Sequence, residues 1–281
     1  ITTSEKSAFD KLDTELYKGL PDGYSKEEIL SDLDTLTIDD VKVLYNHIIR
    51  NGKGEVAISA PFDKKPELKD SLFAELGKFK SFNEFAPALI EDVYTPIEKT
   101  KVLTDTDFKN QAEIVEAFKF RVNQNAKDRV TMALLNTILG GNPSSRLFMD
   151  LREKEKLAYH VKSNYDTNNN IGVFTLKIGT TTDNKETGEQ SFDNIKKSIE
   201  GFNRHIDLIK SEKVSNEELN NAKLSLKNNI LNSNHTPEGR TTSLLSGLES
   251  AYGVNKMNTL FAEIDKITVD DIYNASNYIF A

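Results

Sequence analysis

The feature that most constrains this chain is a repeat. Leu33-Asp34-Thr35-Leu36-Thr37-Ile38-Asp39-Asp40-Val41 is echoed by Ile264-Asp265-Lys266-Ile267-Thr268-Val269-Asp270-Asp271-Ile272, with aspartates and apolar positions coinciding. In each copy a threonine stands three residues ahead of an aspartate, at the head of an apolar run with helical spacing. A threonine hydroxyl at that place takes up an orphan amide of the first turn, so both copies predict N-capped helix starts. Capping signals are common, and chance convergence of two capped helices is the alternative to a true repeat. As a repeat, the spacing of roughly 230 residues places a second unit from about residue 91 and the start of a first roughly 140 residues ahead of Ile1. The chain also opens on Ile1 and a polar run, without the basic-then-apolar order of a signal peptide, and reads as a piece of something longer.

Helical spacing recurs at residues 8–20, 38–49, 130–139, 195–209, 219–231 and 272–280. Between these lie short strand-like runs at 55–59, 112–120, 158–163 and 172–178, and Asn168-Asn169-Asn170 before Ile171-Gly172 reads as a hairpin turn. The class is α+β, a two-layer sandwich with a mainly antiparallel sheet packed by helices. Residues 78–107, with Pro87 and Pro96, read as a connection, giving a domain boundary near residue 90: 1–90 the tail of a preceding unit, 91–281 the next.

With 44 acidic against 36 basic side chains, the formal charge of -8 repels a phosphate backbone, so nucleic acid is not an expected partner. No apolar run reaches the roughly 18 residues that cross a bilayer, and no membrane association is expected. Zero cysteines exclude disulfides and thiolate chemistry but leave the compartment open.

The four histidines, His47, His160, His205 and His235, are scattered, and neither His-x-x-x-His nor its inverted form His-x-x-Glu-His occurs, so no metal site is expected in this chain. Gly140-Gly141 lacks the Gly-Lys-Ser/Thr ending of a phosphate loop, and no Gly-x-Ser-x-Gly elbow appears. The chain by itself is expected to be inactive. The glycine pair reads either as a helix stop after Leu139 or as a loop where a peptide backbone approaches closely. The run 172–178 is a candidate edge for strand addition by an extended peptide. Read on residues alone, Arg152-Glu153-Lys154-Glu155-Lys156 is an ordinary solvated helix face and Tyr159 a half-buried strand residue.

The order Leu139-Gly140-Gly141, Ser144-Ser145-Arg146-Leu147-Phe148, Leu151-Arg152-Glu153-Lys154 and Leu157-Ala158-Tyr159 closely resembles the signature of the pitrilysin or insulinase family of zinc metallopeptidases, which includes mitochondrial processing peptidases. The resemblance covers nearly the whole chain and accounts for the repeat. It implies two homologous halves closing around an extended peptide, with zinc held by the first half through an inverted motif absent here. This chain then corresponds to the C-terminal, non-catalytic half. The resemblance further implies that Arg152 and Tyr159 reach the other half's active site to stabilise the scissile carbonyl; on the loop reading of the glycine pair, Gly140 and Gly141 bind substrate beside them. It implies zinc in the full-length protein or a partner chain, unfolded peptides as substrates, and a catalytic half upstream or in a partner subunit. A scaffold subunit that has lost the metal is the alternative within the same family.

Overall fold

The computed structural model describes residues 4–51, 54–78, 94–104, 110–122, 125–168, 170–183, 187, 189–248 and 252–281. In chain order the helices are α1 (Ser4–Leu16), α2 (Lys26–Thr35), α3 (Ile38–Asn51), α4 (Pro66–Leu76), α5 (Ala126–Leu139), α6 (Asp193–Ser211), α7 (Asn216–Ser233), α8 (Pro237–Leu248), α9 (Lys256–Lys266) and α10 (Val269–Ile279). The strands are β1 (Gln111–Arg121), β2 (Ala158–Asn168) and β3 (Ile171–Thr181). The α+β class holds. Two compact units form, one from residues 1–30, 92–227 and 260–281, the other from 31–91 and 228–259.

In the larger unit the strands pair antiparallel in the order β1-β3-β2. β3 is therefore central, and every residue from Ile171 to Gly179 except Thr175 is buried. Its two faces differ: Phe174, Leu176 and Ile178 alternate with Thr175 and Lys177, which line a cleft beside α1. The candidate edge at 172–178 thus has no free side: its amides and carbonyls are taken up by β1 and β2. Among the described residues, the outer sides of β1 and β2 are the sheet's edges.

One sheet face carries Phe174, Leu176 and Ile178, all fully buried, together with Leu134, Leu135 and Leu139 of α5 and Phe202 and Ile209 of α6. Each such side chain contributes roughly 1.5–3 kcal/mol by leaving water. α10 closes this layer: Phe280, just past its end, meets Phe118 and Phe174 edge-on at centroid distances of 4.9 and 5.3 Å. Ser276 donates to the Ile209 carbonyl at 2.9 Å and Asn277 to that of Lys210 at 3.0 Å, taking up orphan carbonyls at the end of α6. The opposite sheet face carries α1 over a small cluster of Leu16, Ile171 and Val173.

Both copies of the repeat form the same reciprocal cap. Thr268 Oγ1 accepts from the Asp271 amide at 3.2 Å while Asp271 Oδ2 accepts from the Thr268 amide at 2.9 Å; for Thr37 and Asp40 the distances are 3.3 and 2.9 Å. Their settings differ. Ile272, Ser276, Ile279 and Phe280 are buried, whereas the matching Val41, Tyr45, Ile48 and Ile49 are 54–62% exposed.

Three expectations change at the level of local structure. The helix expected over 8–20 ends at Leu16, because Gly19 turns at φ +82° and Pro21 begins a short 3-10 turn. Residues 55–59 form no strand, since no described segment pairs with them and an unpaired strand has no ladder. Helices α2, α4, α8 and α9 had no counterpart in the apolar periodicity. The β2–β3 hairpin is present, with Asn168 paired to Ile171; its Asn169 lies outside the described residues, as does most of the expected connection 78–107 with the boundary near residue 90.

Removing the α10 cap by Thr268→Ala is expected to lower the unfolding free energy by about 1 kcal/mol, read from urea denaturation.

Candidate functional site

The segment from Leu139 to Val161 is built by one break and one irregularity. α5 stops at Leu139, where the amides of Gly140 and Gly141 both turn back to the Asn136 carbonyl at 3.0 and 2.8 Å. Glycine is required at 140 by a close approach: a Cβ there would lie 2.3 Å from the Ser163 backbone nitrogen of β2, and one at Gly141 would lie 3.0 Å from the Asn136 carbonyl. Ser163 Oγ also donates to Asn136 Oδ1 at 2.6 Å, fastening the end of α5 to β2. This packing by itself accounts for both glycines.

Beyond the loop, Phe148–Lys154 forms a π-helical turn with Leu151 fully buried beneath it. Such wide turns cost hydrogen-bond geometry and occur often at functional sites. Asp150 ties this one down: its Oδ2 accepts from Arg204 of α6 at 2.6 Å and lies 2.9 Å from His205 Nε2. Arg204 also donates to Glu155 at 2.6 Å, so one guanidinium spans both ends of the turn. Burial pushes the Asp150 carboxyl up, but the bonds from Arg204 and His205 outweigh it and hold it below its usual value. For His205 burial wins over the attraction of Asp150 and holds the imidazole below its usual value. With Nε2–H facing Asp150, its Nδ1 is buried without a partner among the described residues, which further disfavours a second proton.

Arg152 stands on this turn with its guanidinium 4.7 Å from the Phe148 ring centroid and its side chain 42% exposed. The turn closes through Lys156 at φ +56° and a bond from the Leu157 amide to the Leu151 carbonyl at 2.9 Å. β2 then begins with a bulge. Ala158 pairs with Thr180 and His160 with Gly179, leaving Tyr159 as the extra residue. It is 59% exposed. Arg152 and Tyr159 thus come from consecutive elements, as the sequence predicts, and no hydrogen bond joins them. Across β3, His160 Nε2 meets Glu113 Oε2 of β1 at 3.0 Å.

The sequence reading missed both histidine pairs, since His160 and His205 find their carboxylates 47 and 55 residues away in the chain. Among the described residues no group of three or more His, Asp or Glu side chains is placed to hold a metal ion. The described residues therefore offer no ligand set for zinc. A cleft between α1 and the sheet, lined by Phe9, Leu16, Lys162, Asn164, Val173 and Lys177 among others, includes none of Gly140, Gly141, Arg152 or Tyr159.

The chain belongs to the family described as the peptidase M16 inactive domain, whose model matches residues 35–226. It is 32% identical over 148 residues, 53% of this chain, to an uncharacterized zinc protease of Rickettsia felis, and spans 33% of that protein's length. It is 19% identical over 252 residues, 89% of this chain, to the probable inactive metalloprotease YmfF of Bacillus subtilis, spanning 55% of its length. Its fold matches the crystal structure of a protease from Helicobacter pylori at a TM-score of 0.67 and 14% identity, covering 100% of this chain and 70% of that one.

Two measurements follow. Because the native state holds the His205 proton less tightly than the unfolded chain does, stability is full above the unfolded imidazole value of about 6.5 and falls as pH drops below it. Denaturation at pH 7.5 and 5.5 is expected to show that loss, reduced in His205→Gln. Gly140→Ala, which sets a methyl against the β2 backbone, is expected to cost about 1–3 kcal/mol in the same assay.

Proposed function

We propose that this chain is the non-catalytic half of a peptide-hydrolysing chamber, in which Arg152 and Tyr159 donate hydrogen bonds to the scissile carbonyl oxygen as it takes on negative charge. The observation that carries this reading is the placement of Tyr159: a bulge leaves it unpaired and exposed just after the turn that holds Arg152. A guanidinium and a phenol are the donor types an oxyanion needs, and they act most strongly where water is excluded. Zinc held by the companion half would supply the Lewis acid for the carbonyl and for a water. This chain's own share is to orient two donors and to wall the chamber. Substrates are unfolded peptides, and Gly140 and Gly141 serve by setting where β2 begins relative to α5.

Residues 1–90 are the tail of a preceding homologous domain and 91–281 the next. The matched caps support this, and so does the contrast between them: the face that α10 buries is exposed on α3. A helix with that apolar stripe calls for a covering layer of the kind that β1, α5 and α6 give α10. The companion half, in the same polypeptide or a partner subunit, supplies it.

A second reading, a scaffold subunit of the same family, draws on the inactive metalloprotease among the relatives. Zinc analysis of the full protein with any chain that co-purifies separates the two. Under the peptidase reading, Arg152→Ala and Tyr159→Phe are each expected to lower turnover of a quenched peptide by on the order of 10²-fold in the full protein. Unchanged turnover in both would remove their roles.

A further inference from the structure

Tyr159 owes its exposure to a choice of register. At the near end of β2, Leu157 is fixed by its amide bond to Leu151 and by Thr180 Oγ1, which donates to the Leu157 carbonyl at 2.7 Å. At the far end, Val161 is buried opposite Ile178, and the Ser163 amide and hydroxyl are bonded to Gly140 and Asn136. One residue too many therefore lies between Thr180 and Ile178 of β3, and β2 must bulge there. Two residues compete for the place opposite Gly179. If Tyr159 took it, the phenol would turn to the α1 face of the sheet, because neighbouring residues on a strand point to opposite faces.

His160 takes that place instead, and its ring reaches over Gly179 to Glu113, which pairs with Gly179 from the other side. The glycine makes room for this contact. A Cβ at 179 would lie 2.4 Å from His160 Cε1 and 2.8 Å from Glu113 Oε1. Glu113 is nearly buried, its side chain 12% exposed, so its carboxylate is better matched by the imidazole than left alone.

We propose that Glu113 and His160 form a latch across β3 that fixes the bulge at Tyr159, making both of them positioning residues for the site proposed above, on which this inference rests. The latch holds β2 to β1 over the strand between them and keeps His160, rather than Tyr159, opposite Gly179. Neither residue touches the reacting carbonyl; each acts through the phenol.

The latch can be opened in two independent ways, by Glu113→Ala and by Gly179→Ala, the latter keeping both partners but forcing them apart. In the full protein each is expected to lower kcat for a quenched peptide by between about tenfold and about 10²-fold with little change in KM, and Glu113→Gln, which keeps an acceptor, by less. In a Tyr159→Phe background neither change should lower kcat further. An equal loss in that background, or no loss where Tyr159→Phe is itself impaired, overturns the proposal. A second arm needs no activity. With 13C-labelled tyrosine in the chain, the Tyr159 ring resonance should move in Glu113→Ala and in any Gly179→Ala protein that melts cooperatively; an unmoved resonance overturns the latch. If instead the resonance moves while Tyr159→Phe leaves turnover intact, the latch stands and the proposed function of Tyr159 falls.

Discussion

The central strand β3 is the constraint on which the rest of the larger unit depends. Its burial on both faces and pairing on both sides leave it one register, because a slip by a single residue would carry Phe174, Leu176 and Ile178 out of the helix layer. Everything that approaches β3 must then meet a fixed grid. α5 and α6 pack on the grid directly, and α10 locks them by feeding side-chain donors to the end of α6 and Phe280 to the aromatic pair. The π-turn and the bulge are local irregularities through which the segment between α5 and β2 is fitted to that grid. Both fall beside the residues proposed to act on substrate.

Electrostatics secures the irregular part. A π-helical turn is weakly held by its own backbone, and Asp150 supplies the missing restraint by gathering Arg204 and His205 from α6, with Arg204 extending to Glu155. Charge-assisted bonds of this kind are among the stronger polar contacts. Among the described residues Arg152, by contrast, has only the Phe148 face and the distant Glu153 oxygen at 3.9 Å, so there its guanidinium keeps donors to spare. The fixed charges hold the turn and the available one is displayed.

What the sequence made legible follows from where the physics is local. Capping is a four-residue affair, so Thr37/Asp40 and Thr268/Asp271 could be read and both form. Apolar spacing likewise located α3, α5, α6, α7 and α10, whose buried or clustered stripes are long. Residues 55–59 could not be settled that way, since strand formation depends on a neighbour elsewhere. Nor could the central position of β3, since the run 172–178 reads equally well as a sheet edge and only the strands alongside decide. Arg152 and Tyr159 stand out in the sequence only through the family resemblance, and their setting is not legible there. A π-turn and a one-residue bulge leave no mark in periodicity, and the pairs His205–Asp150 and His160–Glu113 depend on tertiary contacts between distant parts of the chain.

The central claim is that this half brings Arg152 and Tyr159 to the oxygen of a peptide bond under attack in its companion. The most direct test is a crystal structure of the full protein bound to a peptide phosphinate, whose anionic oxygens mimic the tetrahedral intermediate. The account predicts the Arg152 guanidinium and the Tyr159 hydroxyl each within about 3 Å of a phosphinate oxygen. A bound phosphinate with both side chains turned to solvent, or reached by donors from elsewhere, would contradict it.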